Sequence, residues 1–195
     1  MKKKGLALVL ALALMVVGAV GGTLAWLTAK SDVVTNTFTT SDITVKLEET
    51  KGDGTGNAKT FKMIPGCTIE KDPKATVLDG SEECFLFVKL DESATFEDCL
   101  TYKMADGWTK LEGEGITDTV YYRTVEGDQI GKPYSVLEGN QVTVRGDVTK
   151  EKMNALDKDG AAKPTLTITA YASQLHKNAT EDFDAATAWS NIENK

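Results

Sequence analysis

The sequence predicts a mainly β protein: a jelly-roll-like β-sandwich with one or two short helices, preceded by an apolar signal helix. Three observations predict it. Alternation at a period of two recurs along the chain, turn residues punctuate it at short intervals, and only two stretches carry a helical pattern.

The first element is a leader. Lys2, Lys3 and Lys4 form a positive start, Leu6 to Val17 an apolar core, and Gly18 to Gly22 a small-residue neck. Thr23 and Ala25 then put small side chains at the −3 and −1 positions of a cut between Ala25 and Trp26. Cuts after Ala19 or Ala29 fit less well. An uncleaved anchor is the alternative, because no charge occurs between Gly5 and Ala29. Cleavage removes three of the 22 basic residues and none of the 29 acidic ones, leaving about 170 residues with a net charge near −10. One domain of that length has room for a sizeable core. Its acidity argues against nucleic acid or anionic lipid as a partner, since both need clustered Lys and Arg. Any membrane association is expected only through the uncut leader.

The expected organisation is a signal peptide over 1–25, an exposed strand segment over 26–40 and one β-sandwich domain over 41–195. In the segment, Val34, Asn36 and Phe38 share one face, with Val33, Thr35, Thr37 and Thr39 on the other. Ile43, Val45 and Leu47 alternate with Thr44, Lys46 and Glu48, and a loop follows over Lys51–Lys59. "FKMIPGCTIEKDP" carries a strand fragment into a Pro65-Gly66 turn, and Pro73 limits the sheet beyond it. Cys84–Leu90 is apolar on both faces, as a central strand covered on both sides requires. Thr119–Val125 is rich in β-formers, and Val142 and Val144 alternate. In "KPTLTITAYAS", Leu166, Ile168, Ala170 and Ala172 oppose Thr165, Thr167, Thr169 and Tyr171. Helices are predicted over Thr149–Leu156, with a threonine N-cap, and over Thr180–Ile192, with acids in its first turn and Trp189 as a lid on the core.

Catalytic signatures are missing from this pattern. HExxH, GxSxG and P-loop motifs do not occur, and the single histidine, His176, reads as a surface or turn residue. No enzyme, metal or cofactor is expected. The acidic turns Asp79–Glu83 and Asp157–Gly160 lack EF-hand spacing and read as solvated. Asn178-Ala179-Thr180 is formally a glycosylation sequon. Cys67, Cys84 and Cys99 are an odd set in an exported chain; one disulfide with a spare thiol, pairing between chains and three free thiols all remain open. Cys84 is expected to be buried and Cys67, beside its turn, to be the reactive thiol.

The opening "GGTLAWLT", followed by "SDVVTNTFTTSDITVKLEE", resembles the start of the TasA/camelysin family of secreted biofilm-matrix proteins. "MIPGCTIEKDPKATVLDGSEECFLFVKL" looks like that family's Pro-Gly turn followed by a strand pair around a Gly-Ser turn, and "ITAYASQLHKNATEDFDAATAWSNI" is similar to its ending. The likeness does not extend over 91–165. It implies a jelly-roll fold, export through a SipW-type signal peptidase and, for fibre-forming members, self-association by donation of the mature N-terminal strand. The expected function is therefore a secreted structural protein of the extracellular matrix, with donation by the face of Val34, Asn36 and Phe38. Cleavage would release that strand to complete a neighbour's sheet. A monomeric surface adhesin or binding module is the alternative. The peptidase activity described for camelysin-like members has no metal-peptidase motif here to carry it.

Overall fold

Turn chemistry cuts the described residues into twelve strands and two α-helices. The computed structural model describes residues 42–53 and 59–193; the leader, the cut at Ala25-Trp26 and the strand of Val34, Asn36 and Phe38 lie outside the described residues. The strands are β1 (Val45–Glu48), β2 (Thr68–Glu70), β3 (Lys74–Val77), β4 (Cys84–Glu92), β5 (Leu100–Thr101), β6 (Thr109–Lys110), β7 (Val120–Val125), β8 (Pro133–Ser135), β9 (Gln141–Val144), β10 (Leu166–Gln174), β11 (His176–Asn178) and β12 (Glu181–Asp182). The helices are α1 (Lys150–Leu156) and α2 (Ala185–Glu193). All described pairings are antiparallel, in sheets ordered β1-β3-β8, β10-β4-β7-β6 and β2-β9-β5, with a β11-β12 hairpin. The protein is thus mainly β.

The organising element is β4. It pairs with β10 from Cys84↔Gln174 to Glu92↔Leu166 and with β7 from Cys84↔Val125 to Lys89↔Val120. Its alternate residues feed two separate cores. Cys84, Leu86, Val88 and Leu90 pack with Val77 and Val144 of the smaller sheets and with Val136 just after β8, while Phe85 and Phe87 pack with Leu111, Val120 and Trp189. A strand apolar on both faces is stable only where both faces are covered, and here sheets cover one and α2 the other. Trp189 does form the expected lid, its ring 5.3 Å from those of Phe87 and Tyr171.

Local signals account for most boundaries. Cys67 N donates to Ile64 O at 3.0 Å across a turn in which Gly66 takes φ +78°, the geometry Pro-Gly supplies. The strand follows this turn rather than leading into it: Phe61 and Met63 point partly inward but belong to no strand. Thr149 caps α1 by accepting from Lys152 N at 3.2 Å. Two strands flank the Gly80-Ser81 turn, yet they do not pair with each other; β3 and β4 enter different sheets.

The predicted start of the last helix at Thr180 is corrected to Ala185. Asn178 Oδ1 accepts from both the N–H and the hydroxyl of Thr180, each at 3.0 Å, and this local turn draws the segment into the β11–β12 hairpin. Asp184 then caps the helix, accepting from Thr187 N at 2.9 Å. Among the described residues no helix is long and apolar enough to cross a membrane.

Candidate functional site

Among the described residues the longest unpartnered strand edge belongs to β10. One side of this nine-residue strand bonds to β4 throughout, and the other carries no strand among the described residues. β1, an edge strand of the neighbouring sheet, approaches it without joining its ladder. Leu166, Ile168, Ala170 and Ala172 face the core, leaving Thr167, Thr169 and Tyr171 on the other face. The strand contains neither a charge nor a proline, the usual devices that keep an edge from pairing.

An apolar groove of about 290 Å³ lies at the Leu166 end of this edge, with Ile69, Phe96, Leu100 and Val142 in its lining. Phe61 and Met63 form part of its wall. Asp72 anchors the chain beside them: its carboxylate accepts from Thr50 N at 2.9 Å, Lys51 N at 2.8 Å and the Thr50 hydroxyl at 2.6 Å. The adjacent Lys71 pairs with Glu49 at 2.9 Å, both side chains largely buried, and lies over the Phe61 ring. Burial pushes the Asp72 carboxyl up, but the Thr50 hydroxyl and the Lys51 and Thr50 amides, with Lys74 nearby, hold it below the usual carboxylate value.

Asp42, the first described residue, lies at the other end of the strands. Its carbonyl accepts from Glu82 N at 3.2 Å, beside the start of β4, whereas Leu166 pairs with Glu92 at the finish. At ordinary strand rise, nine residues separate the two ends by about 26 Å.

All three cysteines are free thiols. Cys84 and Cys99 are fully buried, and burial alone pushes the Cys84 thiol up to about 11. Cys67 and Cys99 precede β2 and β5, which flank β9, so ordinary strand spacing puts them roughly 9–10 Å apart, beyond disulfide reach. Cys67 is exposed. Thiol labelling of the folded protein is expected to modify Cys67 first, with Cys84 and Cys99 reacting only after denaturation. Equal rates at all three would contradict this burial.

His176 is exposed, as its surface reading requires, but it is not isolated. Its Nε2 lies 2.9 Å from Glu83 Oε2 and its Nδ1 2.6 Å from Asp182 Oδ1, clipping the β11–β12 hairpin to the lead-in of β4. Hydrogen bonds to Glu83 and then Asp182 raise its pKa. Both ring nitrogens are thereby engaged. Asn178 and Thr180 of the sequon are exposed in the same hairpin. Among the described residues no group of three or more His, Cys, Asp or Glu could hold a metal ion.

Two features of the sites escaped the sequence reading. Asp72 carries no local signal that sets it apart from the other acids of the chain, and the openness of β10 depends on sheet order, which alternation does not encode. The chain matches no family model, no curated protein and no solved structure.

Proposed function

We propose that this chain is a secreted structural subunit of an extracellular matrix, of the TasA/camelysin kind. It is exported behind the 1–25 leader, cut between Ala25 and Trp26 by a SipW-type signal peptidase, and polymerises at the cell surface by N-terminal strand donation. In this reading the antiparallel sheets form a jelly-roll-like sandwich. The observation that carries it is the long, uncharged, proline-free edge of β10, open among the described residues. A strand laid along it would gain a ladder of main-chain hydrogen bonds, with side-chain specificity from the adjoining groove.

The alternating stretch from Val33 to Thr39 matches the length of that edge to within two residues. Its donor would leave from the Asp42 end of one subunit, while the groove lies at the far end of the strands. Such unlike surfaces give a head-to-tail, open-ended polymer. Phe38 would fill an apolar slot of the acceptor, contributing on the order of 1.5–3 kcal/mol.

The test compares light scattering and circular dichroism for the mature chain, Phe38→Asp and a chain beginning at Ser41. Expected is polymer from the first alone, with β-content kept in all three. Unfolding of the shortened chain would make the segment an intramolecular strand. Three folded monomers would replace the fibre reading with that of an adhesin.

A further inference from the structure

We propose that Arg123 is a carboxylate-binding site, holding its ligand end-on through Nη1 and Nη2 where β6 and β8 border the sandwich. The proposal is independent of fibre assembly. The chain has 29 acidic residues and only two arginines, and these two are treated in opposite ways. Arg145 donates from Nε to Asp147 Oδ1 at 3.1 Å and from Nη2 to Oδ2 at 3.0 Å. Arg123 pairs with no carboxylate among the described residues, and its Nε is buried without a hydrogen-bond partner.

Its surroundings are built around the plane of the guanidinium. The Tyr134 ring stacks on it, with Cζ 3.7 Å from the ring centroid, and the Trp108 ring lies 5.5 Å away. Trp108 is fixed in turn, donating from Nε1 to Ser135 O at 2.9 Å. Gly107 takes φ +85° beside the fork; a Cβ there would lie 3.1 Å from Nη2 and 3.4 Å from both Cζ and Nη1. Tyr134 and Gly107 therefore crowd the group while Nε is enclosed, yet the residue keeps part of its surface in solvent. What remains for a ligand is the in-plane edge of Nη1 and Nη2.

A half-buried cation without a counter-ion is costly, and acids were plentiful in this sequence. Burial also draws the guanidinium below its usual pKa, with Tyr134 acting the other way. A fixed fork with crowded faces favours a planar oxyanion that accepts two parallel N–H bonds, which describes a carboxylate. Two sources could offer this chemistry: a free small carboxylate, or one carried on an acidic polysaccharide.

Phenylglyoxal modification of the full secreted chain, read by peptide mass spectrometry, tests the site whether the protein is monomeric or assembled. Arg145 is the internal reference. Sodium acetate is expected to slow modification of Arg123 saturably and at least fivefold, with Arg145 unchanged and sodium chloride at equal ionic strength without effect. Polygalacturonate that protects at tenfold lower carboxylate concentration than acetate, while its methyl ester does not, assigns the site to a polymer-borne acid. Protection by acetate and polymer at equal carboxylate concentration assigns it to small carboxylates. The proposal is overturned if Arg123 is unreactive without acetate, if chloride protects as well as acetate, or if both arginines are protected alike.

Discussion

Phe87→Ala is expected to lower the stability of the fold by about 3–5 kcal/mol. Phe87 is fully buried at the centre of β4, with ring centroids 5.3 Å from Trp189, 6.0 Å from Phe85 and 6.2 Å from Tyr122. Its removal deletes one of the two rings, with Tyr171, that hold Trp189 of α2 against the main sheet, and opens a cavity that strands bonded on both sides cannot close. Domains have only about 5–15 kcal/mol to lose. Phe87→Leu keeps more of the volume and is expected to cost less. Chemical denaturation measures both, and near-ultraviolet circular dichroism follows the loosening around Trp189. An unchanged midpoint for the alanine variant would show that the aromatic cluster contributes no stability.

The second large effect belongs to Asp72, which is 6 % exposed and accepts three hydrogen bonds. Asp72→Ala strands three donors and is expected to cost about 3 kcal/mol near neutral pH. The sign of the pH dependence follows from its lowered pKa. The stabilisation is fully present above the unfolded-state value of about 3.9 and is lost as pH falls through the lower folded value. Denaturation midpoints of wild type and Asp72→Ala should therefore differ clearly at pH 7 and converge in acid. A difference that grows as pH falls would reverse this assignment. Because Asp72 fixes the chain near Phe61 and Met63, the variant is also expected to disturb the groove wall.

The sequence disclosed those parts of the fold whose signals are local. The apolar double face of Cys84–Leu90, the alternation of Leu166–Ala172 and the Thr149 cap each reach the structure as read. The start of α2 did not, because the hydrogen bonds from Thr180 to Asn178 form a turn that competes with helical geometry. Strands of two or three residues, such as β5, β6 and β8, have no periodicity to read. Partner choice is less legible still: β3 and β4 adjoin in sequence yet diverge, and β9, from the stretch the family likeness does not cover, bridges β2 and β5. Arg123 occupies an ordinary alternating slot in "VYYRTV". Only the three-dimensional neighbours show that it has no acidic partner among the described residues.

The central position of β4 also sets an order of events during folding. β7, its nearer partner, is roughly 30–40 residues downstream, whereas β10 follows at a distance of roughly 75–90, a high-contact-order pairing of the kind that folds on the millisecond-to-second scale. A chain emerging N-terminus first must therefore carry "CFLFV" with one flank unpaired until β10 arrives, and with Phe85 and Phe87 uncovered until α2 docks. Lys89, Asp91 and Glu92 close that stretch with charge, as gatekeepers that restrain premature association between nascent chains.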